Sequence, residues 1–82
     1  SYQLAQANCL GTVSIYDGRG RLIRTLFKNQ LMATEGSFSW NGVKDDQTKA
    51  SIGIYVVVFE AFSLDGGLLY SGRKAVTLAG NL

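Results

Sequence analysis

The chain has no histidine, no proline and a single cysteine in 82 residues. Without histidine it lacks the commonest general base and the commonest transition-metal ligand. Cys9 alone excludes an internal disulfide and cannot build a thiolate zinc site; it suits the role of a small buried hydrophobe. Charge is scarce too, at 17% of residues against about 25% in typical soluble domains. The net charge of +2 gives no strong pull toward nucleic acid or an anionic membrane. No apolar run is long enough for a membrane-spanning helix. No signal-peptide pattern or glycosylation sequon is present. These absences lead us to expect no enzyme activity, no cofactor, no metal, no nucleic-acid partner and no membrane insertion.

The residues that are present are apolar in 46% of positions, with ten glycines. That is enough for a core and too apolar for disorder. A chain of this length makes one domain, 1–82, which buries only roughly 60% of its unfolded surface. No stretch holds a 3.6-residue apolar period over three turns. Leu26 to Ala33 has the makings of one helical turn, which Asn29 and Gln30 interrupt. Short strands account for the rest. Tyr2 to Ala7 is a first strand. Thr12 to Asp17 alternates Val13 and Ile15 against Thr12, Ser14 and Tyr16. Asp17-Gly18-Arg19-Gly20 is a tight turn, with Gly20 free to take positive φ and Asp17 free to accept amide hydrogen bonds. Arg21 to Phe27 returns beside the preceding strand. Ser37-Phe38-Ser39-Trp40 predicts a strand with Phe38 and Trp40 facing a core, ended by Asn41-Gly42. Val43 to Ser51 reads as a polar loop. Ile52 to Phe62 is apolar on both faces, the mark of a central strand covered on each side. Leu64-Asp65-Gly66-Gly67 turns the chain into a final strand, Leu68 to Leu78. The sum is an all-β domain, a small immunoglobulin-like antiparallel β-sandwich of six or seven strands, with a small closed barrel as the runner-up.

The motifs with chemical potential are weak. Gly18 and Gly20 open a GxG pattern, but the third glycine of a dinucleotide motif would fall at Ile23 and no helix follows. Asp45-Asp46 matches no calcium-loop spacing and reads as a solvated loop. Ser71 and Lys74 lie three apart in a strand, on opposite faces, so they do not form a nucleophile and base. Arg19, Arg21, Arg24 and Lys28 read as a solvated hairpin rather than an anion site. Tyr16, Tyr55 and Tyr70 could form a carbohydrate platform, but packing explains them as readily.

The order of the landmarks says more than any one of them. Thr12 to Asp17 followed by Gly20-Arg21-Leu22-Ile23-Arg24-Thr25-Leu26 resembles the opening hairpin of the Ig-like domain of flagellar hook-capping proteins. It equally resembles the C-terminal sorting domain of the type IX secretion system of Bacteroidetes. Gly36 to Gly42 is similar to their glycine–tryptophan–aspartate–glycine strand and turn, with Asn41 where aspartate is usual. Gly53-Ile54-Tyr55 and Lys74-Ala75-Val76-Thr77-Leu78 are similar to their last two strands, and Gly80-Asn81 stands where basic residues are usual. The resemblance implies a C-terminal domain cut from a larger exported protein, with lamin-tail proteins of the bacterial surface among the nearest in kind; the start at Ser1, without an initiator methionine, fits a fragment. It implies a non-enzymatic sorting function, with upstream domains of the same chain as cargo, the outer-membrane secretion machinery as partner, and delivery through the periplasm and outer membrane to the cell surface or medium. By the same resemblance, recognition would involve Gly53, Tyr55, Lys74, Gly80, Asn81 and Leu82. Asp17, Gly20, Phe38, Trp40 and Gly42 would be structural. The alternative is a structural Ig-like accessory or spacer domain of a surface protein or enzyme.

Overall fold

A computed structural model describes residues 2–3, 9–32, 35–36 and 38–79. The strands run in the order β1 (Tyr2–Gln3), β2 (Cys9–Asp17), β3 (Leu22–Met32), β4 (Glu35–Gly36), β5 (Gly53–Phe62) and β6 (Leu68–Leu78). Strands β3-β2-β5-β6 form one antiparallel four-stranded sheet, and β1 and β4 pair in a separate two-stranded ladder. The all-β reading therefore holds. Two packed sheets of six or seven full strands go beyond this arrangement, in which β1 and β4 have two residues each. Of the expected first strand, Tyr2–Gln3 is paired and residues 4–7 lie outside the described residues.

Alternation in β2 sets the core. Cys9, Gly11, Val13 and Ile15 are buried, and the residues between them are only half-buried. Gly11 lies opposite Ala61, Val13 opposite Phe59 and Ile15 opposite Val57. Directly opposed residues share a face, so odd positions of β2 and β5 build one apolar side. Cys9, Val13, Met32, Phe59 and Ala61 form its centre, with Leu26, Phe27, Phe38 and Val57 packed against them. Val13 and Ile15 are fully buried, which stabilises by about 1.5–3 kcal/mol for each side chain. Gly11 is needed for close approach: a Cβ there would stand 2.7 Å from Met32 Cγ.

Three expectations need correction. The first concerns Ser37 to Trp40. Residues 38–40 join no ladder, and Ser37 lies outside the described residues. Rings rather than backbone hydrogen bonds dock this segment. Phe38 meets Phe27 and Phe59 edge-on at 5.7 and 6.0 Å, and Trp40 meets Tyr55 at 5.2 Å. The aromatic alternation thus reports the buried face correctly, with Ser39 exposed. Trp40 itself is half-buried. Second, β5 is central in its sheet but not covered equally on both faces. Tyr55, Phe59 and Ala61 are buried, while on the other side Val56 and Val58 are half-buried and Ile54 is 63% exposed. An apolar run shows that both faces could be buried, not that a second layer covers each. Third, the return strand continues to Met32 and leaves no helical turn. Extra residues are absorbed as β-bulges, with register shifts against β2 at three places. Asn29 takes φ 51° at one of them, and its amide donates to Thr12 Oγ1 at 3.0 Å.

Candidate functional site

Two hairpin turns of the same design deliver the outer strands. In the first, Gly20 N–H donates to Asp17 O at 3.0 Å and Asp17 N–H to Arg21 O at 2.9 Å. In the second, Gly66 N–H donates to Ser63 O at 2.9 Å and Ser63 N–H to Gly67 O at 2.8 Å. Gly20 and Gly66 both sit at positive φ, 82° and 95°. This is the three-residue hairpin loop in which a glycine takes the left-handed position. The second turn therefore starts at Ser63, one residue before the expected Leu64. Carboxylates hold both loops. Asp17 Oδ1 accepts from the Arg19 and Arg21 amides at 2.9 Å, and Arg21 Nε reaches Asp17 Oδ2 at 2.9 Å. The Arg21 amide is the main reason that the Asp17 carboxyl lies below its usual range. Asp65 is likewise held below its usual range, chiefly by the Ser63 hydroxyl that donates to it.

The final hairpin, β5–β6, brings together three of the residues implied in recognition. Gly53 pairs with Leu78, Tyr55 with Val76, and Lys74 with Val57. Odd β5 and even β6 positions share the core face, so Tyr55 and Lys74 are diagonal neighbours there. Their surroundings differ. Tyr55 is 6% exposed, packs against Trp40, and its hydroxyl donates to the Ser51 carbonyl four residues upstream. Such a tie from tyrosine to upstream backbone is the tyrosine corner known from Ig-like sandwiches. The tie and the packing fix Tyr55 in place, with its side chain largely out of solvent. Lys74 is exposed. Gly80, Asn81 and Leu82 lie outside the described residues.

Two of the structural landmarks, Trp40 and Gly42, sit beside this hairpin. Trp40 Nε1 donates to Val43 O at 2.9 Å, and Asn41 Oδ1 accepts from the Val43 amide at 3.1 Å. Gly42 is buried with φ 80°, and a Cβ there would meet Leu78 Cδ1 at 3.3 Å. The Trp-Asn-Gly turn thus leans on the end of β6. Asn41 does by its side-chain oxygen what an aspartate would do.

Between the 38–40 segment and β6 lies a groove of about 580 Å³. Phe38 and Trp40 from the segment, Val57 and Phe59 from β5, and Tyr70 and Lys74 from β6 are among the residues that line it. Gly72, across from Phe59, makes room for the Tyr70 ring, which lies 5.7 Å from the Phe59 ring. A Cβ on Gly72 would fall 2.6 Å from the Tyr70 hydroxyl oxygen. Tyr70 and Gly72 were not among the expected recognition residues. Their spacing, two apart on one strand face, was the available signal.

The loop 43–51 also has more structure than a polar loop requires. Val43 bridges Lys49, and Lys44 N–H donates to Thr48 O at 2.8 Å. Asp45 N–H donates to Ile23 O at 2.9 Å, and the Thr25 amide donates to Asp45 Oδ1 at 3.1 Å. Arg24 Nη1 donates to Lys44 O at 3.3 Å, with Arg24 Nε 3.9 Å from Asp45 Oδ1. Asp45 is therefore a docking residue on β3, not a free solvated carboxylate. Asp46 accepts from the Thr48 hydroxyl and amide at 2.6 and 3.0 Å. Among the described residues no cluster of three or more potential metal ligands occurs.

Residues 1–65 match the family model described as the FlgD Ig-like domain. The chain belongs to the FlgD Ig-like domain family. This is a non-catalytic structural domain family, and the matched residues include the opening hairpin, the Trp-Asn-Gly turn and Tyr55. The match ends inside the second hairpin turn, so β6 lies beyond the matched residues. No curated protein and no solved structure matches the chain significantly.

Proposed function

We propose that this chain is a non-enzymatic C-terminal sorting domain that directs an upstream cargo through the type IX secretion system to the cell surface. The observation that carries the reading is the state of β6. It is an edge strand of eleven residues whose central charges, Arg73 and Lys74, are exposed and make no ion pair among the described residues. A folded module that presents one open strand offers a partner backbone hydrogen bonds and side-chain pockets at once. Its complete fold, on this reading, is an Ig-like sandwich of six or seven strands, in which the β1–β4 ladder belongs to the second sheet. Lys74 and the tail 80–82 act in recognition, and the machinery of the outer membrane is the partner. The domain performs no catalysis.

A second reading is favoured by the family match itself: a structural Ig-like spacer next to a surface enzyme or adhesin. Export separates the two. Fused to the C-terminus of an exported reporter in a type IX-competent bacterium, the domain should carry the reporter to the surface or medium. Removal of residues 80–82 should reduce export while leaving the melting temperature nearly unchanged. A reporter that stays in the periplasm with the intact domain would overturn the sorting reading. The spacer reading then predicts that deleting the domain lowers the stability or activity of the neighbouring module.

A further inference from the structure

The four-stranded sheet has two edges, β3 and β6. Proteins blunt exposed edges with bulges, covering loops and charges. β3 has the first two devices: its three register shifts against β2 and the docked 43–49 segment. Among the described residues β6 has neither along its central stretch. It pairs with β5 in unbroken register from Leu78 to Tyr70, with one irregularity at its start, between Ala61 and Phe62 of β5. Its outer backbone groups face no described strand. What it has is charge, at Arg73 and Lys74.

Consecutive strand residues point to opposite faces. Lys74 stands on the groove face opposite Val57, and Arg73 on the other face opposite Val58. The edge therefore shows one positive charge on each side at mid-strand. On the groove face the neighbours two residues away are Gly72 and Val76, then Tyr70 and Leu78. A second copy of β6 is a poor occupant. Antiparallel pairing about the middle of the strand would set either Arg73 or Lys74 directly opposite its own copy, with the other cation one position away on each strand, and like charges directly opposite destabilise a sheet. An acidic strand is a good one.

We propose that the β6 edge is a strand-acceptor site for an extended acidic segment of a partner. The segment has two adjacent carboxylates, one for Lys74 and one for Arg73, and apolar residues two positions either side of the carboxylate facing Lys74. Those apolar side chains stand beside Gly72 and Val76, at the outer rim of the groove, with Tyr70 next along the strand on the same face. The site supplies main-chain hydrogen bonds for affinity, charge for register and the groove for side-chain choice. This inference rests on the reading of β6 as the recognised strand and adds the chemistry of what it recognises.

The test uses the purified 82-residue chain and a fluorescent peptide of about ten residues, alternating threonine and valine, with two adjacent glutamates at its centre. Three controls carry lysines, serines, or N-methyl groups on one pairing side. The glutamate peptide should bind, weaken with added salt, and lose about tenfold in affinity when the glutamates become serines. N-methylation should abolish binding, because it removes the ladder donors. The double variant Arg73→Glu/Lys74→Glu should reverse the preference toward the lysine peptide, a swap that a merely unfolded variant cannot produce. The proposal is overturned if glutamate and lysine peptides bind alike, if N-methylation has no effect, or if sedimentation shows a dimer that the double variant abolishes. Binding of the glutamate peptide by a domain that fails to export a reporter would retain this site and remove the sorting reading. Export without any peptide binding would do the reverse.

Discussion

The two edges of the sheet are managed in opposite ways. At β3, residues in excess of the register bulge outward, and a small hairpin lays Asp45 against Ile23 and Thr25. At β6 the register runs straight, and two cations with no ion pair among the described residues stand on either side of the strand. Both strands leave β-turns of the same geometry, so the turns do not create the difference. It arises in the chain downstream of the aromatic segment. Trp40 and Asn41 fix Val43, and the chain from there folds back over β3 before entering β5. The cover of one edge is thus encoded by the connection between β4 and β5, and nothing equivalent is described beside β6. On the strand-acceptor proposal, the hairpin docked at Ile23 and Thr25 leaves β6 as the edge where a partner strand would add.

The comparison can be broken most severely at Trp40. Its indole packs against Tyr55 and anchors the hairpin through Val43. Trp40→Ala should lower unfolding free energy by about 2–4 kcal/mol, at or below the range for buried aromatics because the ring is half-buried. Urea denaturation measures this, and a loss of under about 1 kcal/mol would show that the anchor is unimportant. A milder break is Asp45→Ala, which removes the acceptor for the Thr25 amide. With Asp45 57% exposed, a loss of about 0.5–1 kcal/mol is expected, with faster amide exchange at Thr25 and no change at Val58. Asp45→Asn keeps an acceptor oxygen and should restore most of the protection.

Acid should loosen the turns that feed both edges. Asp17 and Asp65 have carboxyls held below the ordinary 3.8, by the Arg21 amide and the Ser63 hydroxyl respectively. A group with a lowered folded pKa binds protons more weakly when folded, so it stabilises above its unfolded pKa. That contribution falls away as pH drops through about 3.8 toward the lowered folded value. The melting temperature should therefore decline across this window, and Asp17→Asn should show a shallower decline than the parent chain. Equal slopes in thermal melts at stepped pH would show that Asp17 does not hold its turn. The smallest effect on folding is expected at the open edge. Lys74→Ala should change stability by under about 0.5 kcal/mol, while reducing reporter export. A drop in melting temperature matching the drop in export would make Lys74 a folding residue.

Much of the sheet was legible because strand chemistry is local. The final strand, Leu68–Leu78, and the first turn follow from alternation and from glycine and aspartate at fixed positions. The aromatics Phe38 and Trp40 were assigned to the right face for the right reason, side-chain alternation, although their segment joins no ladder. The contacts of Asp45 were not legible. They join positions twenty residues apart, across a polar loop whose composition says only that it can be solvated. Tyr55 shows the same limit at the site. The motif puts it in the final hairpin with Lys74, but the hydroxyl tie to Ser51 depends on the bend before β5. The bulges of β3 left only a polar interruption, Asn29-Gln30, as their trace.

Residue-resolved hydrogen exchange on the intact chain tests the asymmetry of the two edges most directly. In an antiparallel ladder alternate amides point to opposite sides of a strand. The Thr25 and Asp45 amides should exchange slowly, held by the docked hairpin, while alternate amides along residues 70–78 exchange near the rate of unstructured peptide, their neighbours toward β5 remaining protected. Addition of the acidic strand peptide should then slow those outer β6 amides alone. Uniform protection along β6 in the free chain, or fast exchange at Thr25 and Asp45, would contradict the closed-edge, open-edge asymmetry.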